Sequence, residues 1–170
     1  MDANAVPRLV ALLTAEKQSV QENVAGTLGN MMAKGDTAVI QAVVDANAIP
    51  RLVALLVVKK AVMKEQAARA LGNMVWKGNA TVIQAVMDAD ALPKLVDLLA
   101  AKEPSLQEQA ARTLGNMIEK GDTAVVQAAV DANALLKLVT LLAVEDYSVQ
   151  EQAAHTLRNI MMLLLMFKQL

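Results

Sequence analysis

The chain has 170 residues, with 16 basic and 17 acidic side chains and a net charge of −1, so it lacks the bulk attraction for polyanions that a nucleic-acid binder uses. It has no cysteine and one histidine, which leaves no disulfide framework, no thiolate chemistry and no ligand set for a metal. It is 55% hydrophobic but only 2% aromatic, so its interior must be built from Ala, Leu, Val and Met, with Ala and Leu the strongest helix formers.

The N-terminal MDANAVPRLV has no basic stretch ahead of an apolar core, so it is not a secretory signal and a cytoplasmic or nuclear location is expected. A first helix is expected over Ala5–Leu13, AVPRLVALL. A longer helix follows, opened by Ser19-Val-Gln-Glu22, which has the pattern of a capping box. Gly35, directly after a Lys, closes it as a glycine just past a helix end would. Asp36 then caps a third helix, TAVIQAVVDAN, which ends at Asn47, a residue type tolerant of the left-handed corner needed there.

The same elements then return. AIPRLVALL lies at Ala48–Leu56, ALPKLVDLL at Ala91–Leu99 and ALLKLVTLL at Ala134–Leu142, a period of 43 residues. Pro50 suits a first helical turn, where its missing N–H costs nothing. The capping-box pattern recurs at Ser105–Glu108 and Ser148–Glu151, the closing glycines at Gly78 and Gly121, the third-helix caps at Asn79 and Asp122, and the corners at Asp90 and Asn133. Repeat two differs, with Val62 in the serine position and no turn residue between Pro50 and Gly72. LVVKKAVMKEQ could therefore run through as one helix and allow the two halves to be exchanged between protomers. A helical repeat of this length cannot bury its own apolar face and must stack on neighbours. The expectation is an all-α solenoid of about four repeats in a single domain, 1–170, divided near 1–34, 35–77, 78–120 and 121–170.

Three helices per repeat, with AIPRLVALL, VQEN and the helix-closing L-G-N, resemble the armadillo repeat up to about Met161. The resemblance implies a right-handed superhelix that binds protein or an extended peptide along a concave groove, without catalysis and without a cofactor. It also implies that one asparagine per long helix, here Asn30, Asn73, Asn116 and Asn159, hydrogen-bonds the peptide backbone. An amide side chain supplies both the donor and the acceptor that a peptide unit needs. The alternative is that these asparagines satisfy local backbone at a helix end.

In importin-type members a tryptophan four residues before that asparagine builds slots for basic side chains. Here those positions hold Gly26, Arg69, Arg112 and His155. A basic peptide would meet like charge, so an acidic or neutral one is expected. Arg69 and Arg112 could equally be solvated cations whose stems cover apolar neighbours. Trp76 is either a binding anchor or a packing residue against the next repeat. His155 has no partners at metal-ligand spacing, the serines are taken as caps, and no activated nucleophile remains, so the chain is expected not to be an enzyme.

At the C-terminal end RNIMMLLLMFKQL replaces the Lys-Gly stop. The stretch Ile160–Phe167 is far short of the ~20 apolar residues that span a bilayer, so no membrane partner is expected. Met161, Leu164, Leu165 and Phe167 instead form a candidate self-association surface for a two-fold homodimer or higher homo-oligomer. Two readings compete with the binding module: a fragment that only assembles with itself, and an engineered scaffold with no natural ligand.

Overall fold

The computed structural model describes residues 5–167, with side chains through Met166, and among these residues every regular element is a helix. α1 (Ala5–Ala11) tightens into a 3-10 turn at Leu12–Thr14 and leads to α2 (Gln18–Lys34) and α3 (Thr37–Asp45). The next repeats give α4 (Ala48–Leu55), α5 (Ala61–Lys77) and α6 (Ala80–Asp88), then α7 (Ala91–Leu98), α8 (Pro104–Lys120) and α9 (Thr123–Asp131). α10 (Ala134–Leu141) and α11 (Tyr147–Phe167) complete the array.

The corners form as the residue types require. Asn47, Asp90 and Asn133 hold φ of 59°, 59° and 64°, the left-handed conformation that short polar side chains tolerate. The helices they join are sharply bent against each other, by 81° for α3 and α4 and 76° for α9 and α10. Asp36, Asn79 and Asp122 cap the helices that follow, accepting from Val39 N–H at 3.1 Å, Val82 N–H at 3.2 Å and Ala124 N–H at 2.9 Å.

The capping boxes at Ser19 and Ser105 do not form. α2 and α8 begin at Gln18 and Pro104, so each serine lies inside the first turn, where its hydroxyl no longer faces the free amides. The chain enters these helices through extended Lys17 and Glu103, neither of which caps with its side chain. Ser105 Oγ reaches back 2.8 Å to Glu65 of the preceding repeat. At α11 the cap is Asp146, which accepts from Ser148 N–H at 3.0 Å and Val149 N–H at 3.1 Å.

The closing glycines serve space and not handedness. Gly121 has φ −85°, open to any residue, yet a Cβ there would sit 2.5 Å from Met117 O and 2.6 Å from Val125 Cγ2. Repeat two is not fused: α4 ends at Leu55 and α5 starts at Ala61. Leu55, Leu56 and Met63 are all buried, and a straight helix would leave part of that set in water at ~1.5–3 kcal/mol per side chain.

α2, α5, α8 and α11 stack side by side and form the spine of the solenoid, with the short helices packed behind them. Small residues permit the close approach, since Ala67, Ala68, Ala70, Ala110 and Ala111 are fully buried. The register is fixed by a seat repeated at two interfaces. Thr113 Oγ1 lies 2.9 Å from Ala68 O and 2.8 Å from Gln109 O, over Gly72, and Thr156 Oγ1 lies 2.9 Å from Ala111 O and 2.8 Å from Gln152 O, over Gly115. No single described helix is long and apolar enough to cross a membrane.

Candidate functional site

The long helices place the asparagines and arginines in rows one repeat apart. Asn73 Nδ2 donates to Gly29 O at 3.0 Å, and Asn116 Nδ2 donates to Gly72 O at 3.0 Å. Asn159 Nδ2 lies 3.4 Å from Glu119 Oε2. These amides therefore tie each repeat to the one before it. Asn116 and Asn159 are buried, at 9% and 3% exposure, which removes them from a ligand running along the surface. Asn30 is exposed and Asn73 is half-buried.

The arginines continue the network. Arg69 Nη2 donates to Gln66 Oε1 at 2.7 Å and to Gly26 O at 3.5 Å. Arg112 Nη2 donates to Gln109 Oε1 at 2.8 Å, and its Nη1 donates to Asn73 Oδ1 at 3.2 Å. Asn73 is therefore held on both sides of its amide, and it links three repeats. The Nε–H of each arginine is buried without an acceptor. Burial pulls the Arg112 pKa below its ordinary value; Glu108 opposes the shift and the neighbouring positive charge of Arg69 adds to it. A guanidinium stays protonated regardless, so the row is a pair of partly desolvated like charges.

Where Gly26 leaves out a side chain, the row opens into a hollow of about 510 Å³ lined by Glu22, Asn23, Gly26, Thr27, Asn30, Val62, Gln66 and Arg69. Lys60 of the next repeat engages the Glu22 carboxylate, so the hollow keeps one positive group and several amides. Near the C-terminal end of α5 Trp76 is 47% exposed, and Lys120 Nζ of the next repeat stands 4.4 Å from its ring centroid. His155 Nε2 lies 3.8 Å from the Glu119 carboxylate.

At the C-terminal end Met161 and Leu165 are exposed, as the candidate surface requires, whereas Leu164 packs partly buried on the core. The side chain of Phe167 lies outside the described residues. Met162 and Met166 are exposed as well and belong to the same apolar end. The inter-repeat seat of Thr113 and Thr156 had a sequence signal, since threonine recurs at one repeat position, opposite glycine of the preceding repeat. The Lys120–Trp76 pair had none.

The armadillo/β-catenin-like repeat profile matches the sequence four times, at residues 1–33, 36–76, 79–118 and 122–162. No match was found among curated proteins. Among solved structures the fold is similar to a crystal structure of an engineered protein, at 37% identity and a TM-score of 0.87, covering 92% of this chain and 62% of that one. It is also similar to a designed armadillo repeat protein, at 29% identity and a TM-score of 0.84 over 92% of this chain and 64% of that one. A third similar structure is a designed armadillo repeat protein in complex with the peptide (KR)4, at 28% identity and a TM-score of 0.85 over 92% and 64% of the two chains. The chain thus spans a little under two thirds of these neighbours' length. Four profile matches over nearly the whole sequence, on a stack of four helical repeats, make this chain a member of the armadillo/β-catenin-like repeat family.

Proposed function

We propose that the chain is a non-catalytic protein-interaction module that holds an extended acidic or neutral peptide along the row of long helices. The observation that carries this reading is the Arg69–Arg112 pair: two cations on adjacent repeats, partly desolvated, each with an Nε–H that finds no protein acceptor. A carboxylate brought beside them relieves the like-charge repulsion and forms charge-assisted hydrogen bonds with the terminal guanidinium nitrogens. Stacked helices lie roughly 8–10 Å apart, close to the roughly 7 Å span of two extended residues, so acidic side chains at alternate positions match the two arginines. Asn30, whose amide is exposed, holds the peptide backbone, and the exposed ring of Trp76 on α5 offers an apolar contact. The designed neighbour that carries (KR)4 takes the opposite charge, and the arginine row here disfavours such a ligand.

Trp76 is the one tryptophan and reports binding directly. Titration with a peptide of alternating Asp and Ser should shift its emission, and Arg69→Glu with Arg112→Glu should abolish the shift. Equal or tighter binding of a Lys/Arg peptide by the wild type overturns the reading.

Self-association forms the second part of the proposal. Met161 and Leu165 on α11 present apolar surface that a two-fold partner would cover, and Leu164 supports them from the core side. Met161→Lys with Leu165→Lys should yield a monomer by light scattering. A wild type that is already monomeric at micromolar concentration overturns this part. The engineered-scaffold alternative is supported by the designed origin of the similar structures and leaves the groove chemistry unchanged.

A further inference from the structure

The chain carries both halves of one interface, one at each end. On the N-terminal flank Leu12, Val20, Thr27 and Met31 are exposed or half-covered, whereas their counterparts one repeat on, Leu55, Met63, Ala70 and Met74, are buried. A hollow of about 390 Å³ lies on this flank, lined by Thr27, Asn30, Met31, Lys34, Gly35 and Val39. Its polar groups are the hooks used inside the array. Thr27 occupies the register of Thr113 and Thr156, and its hydroxyl is already seated 2.7 Å from Asn23 O in the same rotamer pattern. Asn30 matches Asn73 and Asn116, each of which donates to a carbonyl of the preceding repeat. Lys34 matches Lys77, which holds Ala33 O at 2.6 Å and Gly35 O at 2.9 Å.

The C-terminal flank holds the complementary half. Val139, Leu142, Ala154 and Met161 are exposed, and their counterparts Val96, Leu99, Ala111 and Ile118 are buried under the following repeat. One position breaks the match. The threonine seat rests on Gly72 and Gly115, and one repeat further on the chain has Arg158. A Cβ on Gly72 would stand 2.6 Å from Thr113 Oγ1, and one on Gly115 would stand 2.7 Å from Thr156 Oγ1. Each hydroxyl is fixed by two carbonyls and has no room to retreat, so Arg158 cannot seat Thr27.

We propose that the N-terminal flank is a docking surface for another armadillo-type repeat, one whose long helix carries glycine at the register of Arg158, and that Arg158 withholds this surface from other copies of the chain. The occupant follows from continuity with the internal interfaces, whose donors, acceptors and apolar contacts the flank repeats. The N-terminal flank shares Asn30 with the groove and the C-terminal flank shares Met161 with the α11 surface; growth without a plateau separates end-to-end addition from two-fold pairing, which stops at a dimer.

The test uses the full chain as its own probe. Arg158→Gly creates the missing seat, so this variant should add end to end, with a sedimentation-derived mass that climbs with concentration and reaches no plateau. Added wild type should shorten these chains, because its N-terminal flank fills the free seat while its own Arg158 stops further growth. Arg158→Ala keeps the obstructing Cβ and should behave as wild type. Should the glycine variant unfold at assay temperature, Arg158→Ala with Thr27→Ala takes its place, since Thr113 Cβ lies an ordinary 3.4 Å from the point where that Cβ would stand. An Arg158→Gly protein of wild-type mass, or one that stops at twice that mass, overturns the proposal. Growth by Arg158→Ala alone equal to that of the glycine variant overturns the assignment to the glycine seat.

Discussion

Lys120 Nζ stands 4.4 Å over the ring of Trp76, one repeat away. The pair ties α5 to α8 with a cation on an aromatic face, a contact worth about 0.5–1 kcal/mol at an exposed site. Lys120→Met should lower stability by no more than that and should change the emission of Trp76. A melt shifted well beyond this range would mean that Lys120 supports more than the ring.

The threonine seat makes a sharper prediction. Gly72→Ala places a Cβ against Thr113 Oγ1, and overpacking of this kind costs about 1–3 kcal/mol. Thr113→Ala on its own loses the hydroxyl bond to Ala68 O, at about 0.5–1.5 kcal/mol. Combined, the two changes should cost less than their sum, because removal of the hydroxyl makes room for the methyl. Strict additivity in urea denaturation would deny the contact.

Asn116→Ala should destabilise the array by roughly 1 kcal/mol through loss of its bond to Gly72 O, and Asn30→Ala, exposed at the end of the row, should cost much less. Equal effects in chemical denaturation would contradict the division between buried ties and free rungs.

Two helix starts are predicted to respond unequally to the loss of a polar side chain. Asp122 caps α9 through Ala124 N–H and Val125 N–H, and Asp122→Ala should cost about 1 kcal/mol. Ser105 makes a bond to Glu65 between exposed groups and caps nothing, so Ser105→Ala should leave the melting temperature nearly unchanged.

The period, the three helices of each repeat and the left-handed corners were legible because each rests on local chemistry. Asn47, for example, needs no distant partner to adopt its φ of 59°. The serine caps misled for a reason of one residue: S-x-x-E fits a helix that begins after the serine, and Pro104 at the first helical position starts α8 ahead of it. Between the two roles open to the asparagines, peptide contact or a backbone tie, the sequence does not choose. Whether Asn116 faces a ligand or Gly72 O is decided by how closely two helices pack, and the sequence of either helix alone does not state it. Arg158 was visible as a departure from L-G-N, but its meaning required the position of Thr113 over Gly72.

The tying of each long helix only to its immediate neighbours, through Asn73 to Gly29, Thr113 to Ala68 and Thr156 to Ala111, also sets how the protein comes apart. Among the described residues the main helix-to-helix contacts join elements of the same or adjacent repeats, so opening of one terminal repeat should leave the others intact, with loss proceeding stepwise as in a one-dimensional array. Amide hydrogen exchange should therefore rank protection by distance from the nearer end. α5 and α8, enclosed on both sides, should exchange last, and α2, bounded on one side, should exchange with the fraying edge.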